Sequence, residues 1–160
     1  MNLLLWLKRM SWLVFIYFIL RILFFVFNFK SFQSVDYQQV IYAFLFGIKF
    51  DLSAIFISNS LLTICSLLPF RFVEKASYQN FLKYLYWIPN SILFWTNIAD
   101  FEYYKFIGRR TIFEIFSIMA DTLEQSGSLL GSYWYLFLIW IFLIWLFVKF
   151  TPNKVALKHT

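Results

Sequence analysis

Long apolar stretches alternate with short polar segments along this chain. The apolar runs cover roughly Ser11–Phe29, Ile41–Leu68, Leu82–Ala99 and Tyr133–Val148. Each is close to the ~20 residues that an α-helix needs to cross about 30 Å of hydrocarbon. The pattern predicts an all-α fold, a bundle of four transmembrane helices within a single domain spanning residues 1–160. The first run resembles a signal peptide only in its preceding Lys8 and Arg9. Its apolar part is longer than an h-region, and no small-residue cleavage site follows before Lys30.

One segment between the runs, Asp100–Ser132, is long enough to hold structure of its own. Ile112, Ile115, Phe116, Met119 and Leu123 recur at helical spacing, while Glu114, Ser117, Asp121 and Glu124 fall elsewhere on the wheel. An amphipathic helix over about 111–125 is expected, lying flat at the membrane surface. Thr111 and Glu114 fit a capping box at its start, and Ser126-Gly127 marks its expected end. Proline sets further boundaries. Pro69 and Pro152 close the second and fourth runs, and Pro89 is expected to bend the third.

Composition fixes the solvent. With 62% hydrophobic and 25% aromatic residues and a mean hydropathy of +0.71, the chain belongs in a lipid bilayer. The basic residues then orient it. Lys8, Arg9, Arg71, Lys75, Lys83, Lys149, Lys154 and Lys158 fall in segments on one side, against Lys30, Lys105, Arg109 and Arg110 on the other. By the positive-inside rule both termini are cytoplasmic, in a bacterial-type inner membrane. The net charge of +6 thus reads as topology and attraction to anionic phospholipid, with no basic stripe for nucleic acid.

Charges inside the runs are the candidates for chemistry, because each needs a partner, water or a ligand. Arg21 and Asp51 each lie ten residues into their runs, from opposite sides. In one register they meet near mid-membrane. In the other, Lys49 and Asp51 sit at the outer interface. A structural ion pair and a lipid head-group contact are both open. The third run ends in Asn97, Asp100 and Tyr104, a polar face that leads to Arg109 and Arg110 and to possible phosphate binding. Its plainer alternative is an interfacial anchor. Cys65 is the single cysteine and His159 the single histidine. Neither a disulfide, a histidine-based metal site nor a catalytic triad is available, so the chain is not expected to catalyse alone.

Two short stretches carry a resemblance. Gly47-Ile48-Lys49-Phe50-Asp51-Leu52-Ser53 opens one, and Asn97-Ile98-Ala99-Asp100-Phe101-Glu102-Tyr103-Tyr104-Lys105-Phe106 leads to Gly108-Arg109-Arg110-Thr111 in the other. With Tyr133-Trp134 before the last run, the order resembles the N-terminal membrane domain of the lipoteichoic acid synthase and phosphoglycerol transferase family, a sulfatase-like group. The resemblance implies a membrane anchor, and possibly a lipid-seating domain, for an extracytoplasmic catalytic domain. A divalent metal is implied only for that domain, and no cofactor for this chain. Relative to the family the chain looks truncated, ending before a fifth span. The alternatives are a non-enzymatic subunit that packs with a partner membrane protein, and a small transporter component.

Overall fold

In a computed structural model, residues 2–70, 73, 75–107 and 126–152 are described, the last group as backbone only up to residue 132. The expected amphipathic helix over 111–125, together with Arg109 and Arg110, lies outside them. The described residues form five α-helices: α1 (Asn2–Phe27), α2 (Tyr37–Ser58), α3 (Ser60–Leu67), α4 (Ala76–Ile107) and α5 (Ser126–Phe150). A 3₁₀ turn, Phe29–Phe32, follows α1. The all-α expectation therefore holds among the described residues.

Among the described residues, three helical stretches are long and apolar enough to cross a membrane: Leu3–Phe27, Tyr37–Ser58 and Tyr133–Phe150. The third expected span, within α4, does not meet that standard, because Lys83, Asn90, Ser91, Thr96 and Asn97 interrupt it.

The helix boundaries depart from the runs in instructive ways. α1 begins nine residues before Ser11 because Leu3–Leu7 are strong helix formers. Lys8 and Arg9 bound the apolar stretch without breaking the helix. The second run is divided at Asn59, whose φ and ψ of −103° and 17° leave the helical region. Its side chain and backbone both donate to the Ile55 carbonyl, each at 3.0 Å, and Ser58 Oγ donates to the same group at 3.2 Å. Side chains that hydrogen-bond the local backbone this way compete with the helix ladder and bend it. The break also explains how a run longer than a bilayer's thickness is accommodated.

Pro69 acts as expected. α3 stops at Leu67, and Leu68 takes an extended backbone, as steric contact with the following proline requires. α4 runs through Pro89 and extends well past both limits of its run. α5 begins at Ser126, so Ser126-Gly127 is helical and is not a stop. The helix is interrupted instead at Tyr133, with φ −118° and ψ 21°. Gly127 is tolerated there because glycine only weakens a helix, by about 1 kcal/mol.

α4 packs against α1, α3 and α5. Leu82, Tyr86, Asn90, Phe94, Ile98 and Phe101 form its buried stripe. The stripe recurs at three- and four-residue intervals, so one helix face carries it. Phe94 meets Tyr17 of α1 edge to face at 5.9 Å and Phe147 of α5 at 5.0 Å. Trp140 of α5 donates its indole N–H to the Ser91 carbonyl at 2.9 Å. The outer faces, such as Tyr42, Leu45, Phe46 and Phe50 on α2, are exposed apolar surface fit for acyl chains.

Candidate functional site

Arg21 and Asp51 come together between α1 and α2. Nη2 of Arg21 stands 2.7 Å from Asp51 Oδ2, and Nε donates to the same oxygen at 3.1 Å. The guanidinium also donates to two carbonyls one turn apart on α2, to Gly47 from Nη2 at 2.7 Å and to Ala43 from Nη1 at 3.3 Å. Ala43, Gly47 and Asp51 recur every four residues, so a single stripe of α2 supplies all three acceptors. The planar fork of arginine suits such a set, which a lysine's point charge could not satisfy.

Gly47 makes the approach possible. A Cβ built on it would overlap Arg21 Nη1. The lack of a side chain opens a notch in α2, and the guanidinium lies in it against the backbone. This role was not legible in the sequence, where Gly47 entered only as part of a short resembling stretch. The one signal was its place four residues before Asp51.

The ionic pair is mostly buried, with 15% of each side chain exposed. A groove of about 270 Å³ runs beside it, walled by Ser11, Val14, Phe15, Phe18, Ile48 and Asp51. The groove is apolar except at its Asp51 end and the Ser11 hydroxyl. The Arg21–Ala43 hydrogen bond is the longest of the four and the one exposed at the surface.

The other candidates are placed separately. Lys49 is exposed, as its offset of two residues from Asp51 requires, and takes no part in the pair. On α4, Asn97 donates to the Leu93 carbonyl at 2.9 Å. Tyr104 stacks on Phe32 at 5.6 Å and meets Phe24 at 5.1 Å, so its ring is a packing element at the end of α1. Asp100 is buried. Beyond it, Lys105 and Glu102 form an ion pair along the helix.

A second polar centre was not anticipated. Asn59 and Asn90 are fully buried and bonded to each other through both amides. From Asn59 the thread continues to Thr63 and on to the Trp6 indole, which donates to the Thr63 hydroxyl at 3.0 Å. From Asn90 it passes through the Tyr86 carbonyl. The Tyr86 hydroxyl then donates to the Arg9 carbonyl at 2.8 Å. These groups satisfy one another, and a satisfied buried network fixes helix register.

No group of three His, Cys, Asp or Glu side chains among the described residues could hold a metal ion. No protein family, curated protein or solved structure matches the chain. Its function therefore rests on the geometry just described.

Proposed function

We propose that this chain is the membrane module of a phospho-head-group transferase of the sulfatase-like kind. In this reading four helices cross a bacterial-type cytoplasmic membrane, α4 among them, with both ends on the cytoplasmic side. The catalytic domain, downstream or on a partner protein, carries the chemistry. The module anchors it and seats a lipid. The observation that carries the reading is the Arg21 fork. It is anchored by Asp51 and Gly47, and an apolar groove reaches its Asp51 end. A phosphate or ester oxygen would be drawn to the Arg21 fork, and an acyl chain would lie in the groove against Val14, Phe15 and Phe18. Asp51 holds the fork in place and keeps the resting site neutral, which makes a charged residue tolerable inside a helix bundle.

Photocrosslinking tests this. The full chain, reconstituted in vesicles, is exposed to phosphatidylglycerol with a photoreactive head group. Adducts are expected on the stretches around Phe18–Arg21 and Gly47–Asp51, and they should be lost in the doubly substituted Arg21→Leu, Asp51→Leu protein while it remains folded. Adducts spread evenly around the bundle, or unchanged in the double variant, would overturn the proposal.

A further inference from the structure

We infer that the end of the bundle where α1 begins and α5 finishes holds the phosphate of an anionic phospholipid, at a site separate from the Arg21–Asp51 pair. A groove of about 410 Å³ lies between these two helix ends, walled by Leu7, Lys8, Ser11, Trp12, Phe150 and Pro152. Leu7, Trp12 and Phe150 make it apolar along most of its length. Lys8 places an exposed cation on its edge. No carboxylate lines it among the described residues.

Two buried strong donors have no acceptor among the described residues: the indole Nε1 of Trp12, whose ring forms part of the groove wall, and Nη2 of Arg9, a residue that does not line the groove itself. Arg9 is 2% exposed. Its Nε reaches the Pro152 carbonyl, on the groove wall, at 3.4 Å. Its guanidinium stands 5.8 Å from the centre of the Tyr86 ring. One long hydrogen bond and the face of one ring compensate a buried full charge poorly. The contact with Pro152 is at the limit of hydrogen-bond length. Lys149, held over the Trp145 ring at 4.4 Å, adds a third cation one residue before Phe150.

The groove itself offers the Lys8 ammonium and the Trp12 indole, with the Ser11 hydroxyl as the sole side-chain acceptor on the wall among the described residues, and Arg9 and Lys149 add positive charge close by in the chain. Donors without matching acceptors call for an anion. The apolar wall beside them selects an anion that carries an acyl chain over free phosphate. A lysine and a tryptophan at the end of an apolar helix are also the residue types that meet lipid head groups.

The test uses the full chain in mild detergent, with bound lipid counted by native mass spectrometry. Phosphatidylglycerol should be retained well above phosphatidylcholine. Lys8→Gln should lower phosphatidylglycerol retention by about fivefold, the weight of one lysine at an anionic surface. Trp12→Phe, which keeps the ring and removes the N–H, should lower it as well. Lys75→Gln, an exposed lysine that does not line the groove, should leave it unchanged, and Lys8→Gln should cause the same further loss when added to the Arg21→Leu, Asp51→Leu protein, so that failure here is distinct from failure of the first site. Circular dichroism confirms that each variant is folded. Equal losses for Lys8→Gln and Lys75→Gln would reduce the effect to diffuse surface charge and overturn the site. So would full retention in Trp12→Phe, equal retention of the two lipids, or displacement of phosphatidylglycerol by an equal concentration of inorganic phosphate.

Discussion

Asn59 and Asn90 exchange hydrogen bonds through both side-chain amides, at 2.8 and 3.2 Å, with neither residue more than 1% exposed. The first belongs to the break between α2 and α3, the second to the centre of α4. Loss of either amide leaves the other without its partner inside the bundle. Asn90→Leu is expected to destabilise the protein by about 1–2 kcal/mol, the cost of one unmade buried hydrogen bond tempered by what membrane helices are known to recover. Asn59→Leu should cost more, because Asn59 also holds the Ile55 carbonyl at the break. The double change should cost less than the sum of the two. Unfolding in mixed detergent micelles, run as a double-mutant cycle, reads the coupling. Strict additivity would mean that the pair contributes nothing.

The Arg21–Asp51 pair gives a sharper cycle. Arg21→Leu or Asp51→Leu alone strands one charge between α1 and α2, at up to about 3 kcal/mol. The double change strands none and should recover much of the loss. Thermal unfolding in detergent measures all four proteins. A double variant no better than the worse single would show that the two charges act independently.

Gly47→Ala tests the notch itself. The added methyl group meets the guanidinium of Arg21, so the variant is expected to lose stability by an amount comparable to loss of the pair. In the Arg21→Leu background the same change should be neutral or stabilising by up to about 1 kcal/mol, because alanine is the better helix former once the guanidinium is gone. A loss of the same size in both backgrounds would assign Gly47 a role unrelated to Arg21.

Topology is directly measurable. Reporter fusions after Pro152 should read as cytoplasmic, and insertions between Ile107 and Ser126 as outside. An external signal after Pro152 would remove α4 from the count of spans and reverse α5.

The sequence made plain what depends on apolar length: the location of the long helices and the stop before Pro69. It offered the pairing of Arg21 with Asp51 as one of two registers, since apolar length alone did not fix where the second span begins. It did not reveal what depends on local competition for hydrogen bonds. The break at Asn59 sits in an unbroken apolar run, and only the side-chain bonds from Ser58 and Asn59 to Ile55 account for it. Helix ends were misplaced at Asn2 and Ser126 for one reason: charge and glycine were read as boundaries, although each is compatible with helix. Tyr104, grouped with Asn97 and Asp100 by spacing, packs its ring on Phe24 and Phe32, because a tyrosine at a helix end serves packing as readily as recognition.

The polar centre of α4 bears on how the protein is assembled. A helix with Asn90, Asn97 and Asp100 on it gains little by entering lipid by itself, since each such group opposes transfer out of water. Asn90 exchanges its amide bonds only where Asn59, ahead of α3, is already in place, and the Tyr86 hydroxyl finds its acceptor on α1 at the Arg9 carbonyl. Biogenesis is therefore expected to be ordered: the earlier helices remain beside the insertion machinery until α4 emerges, and α4 leaves with them as a unit. A chain lacking α1 should release α4 into the aqueous phase, where it becomes a substrate for proteolysis, even though no residue of α4 has been altered.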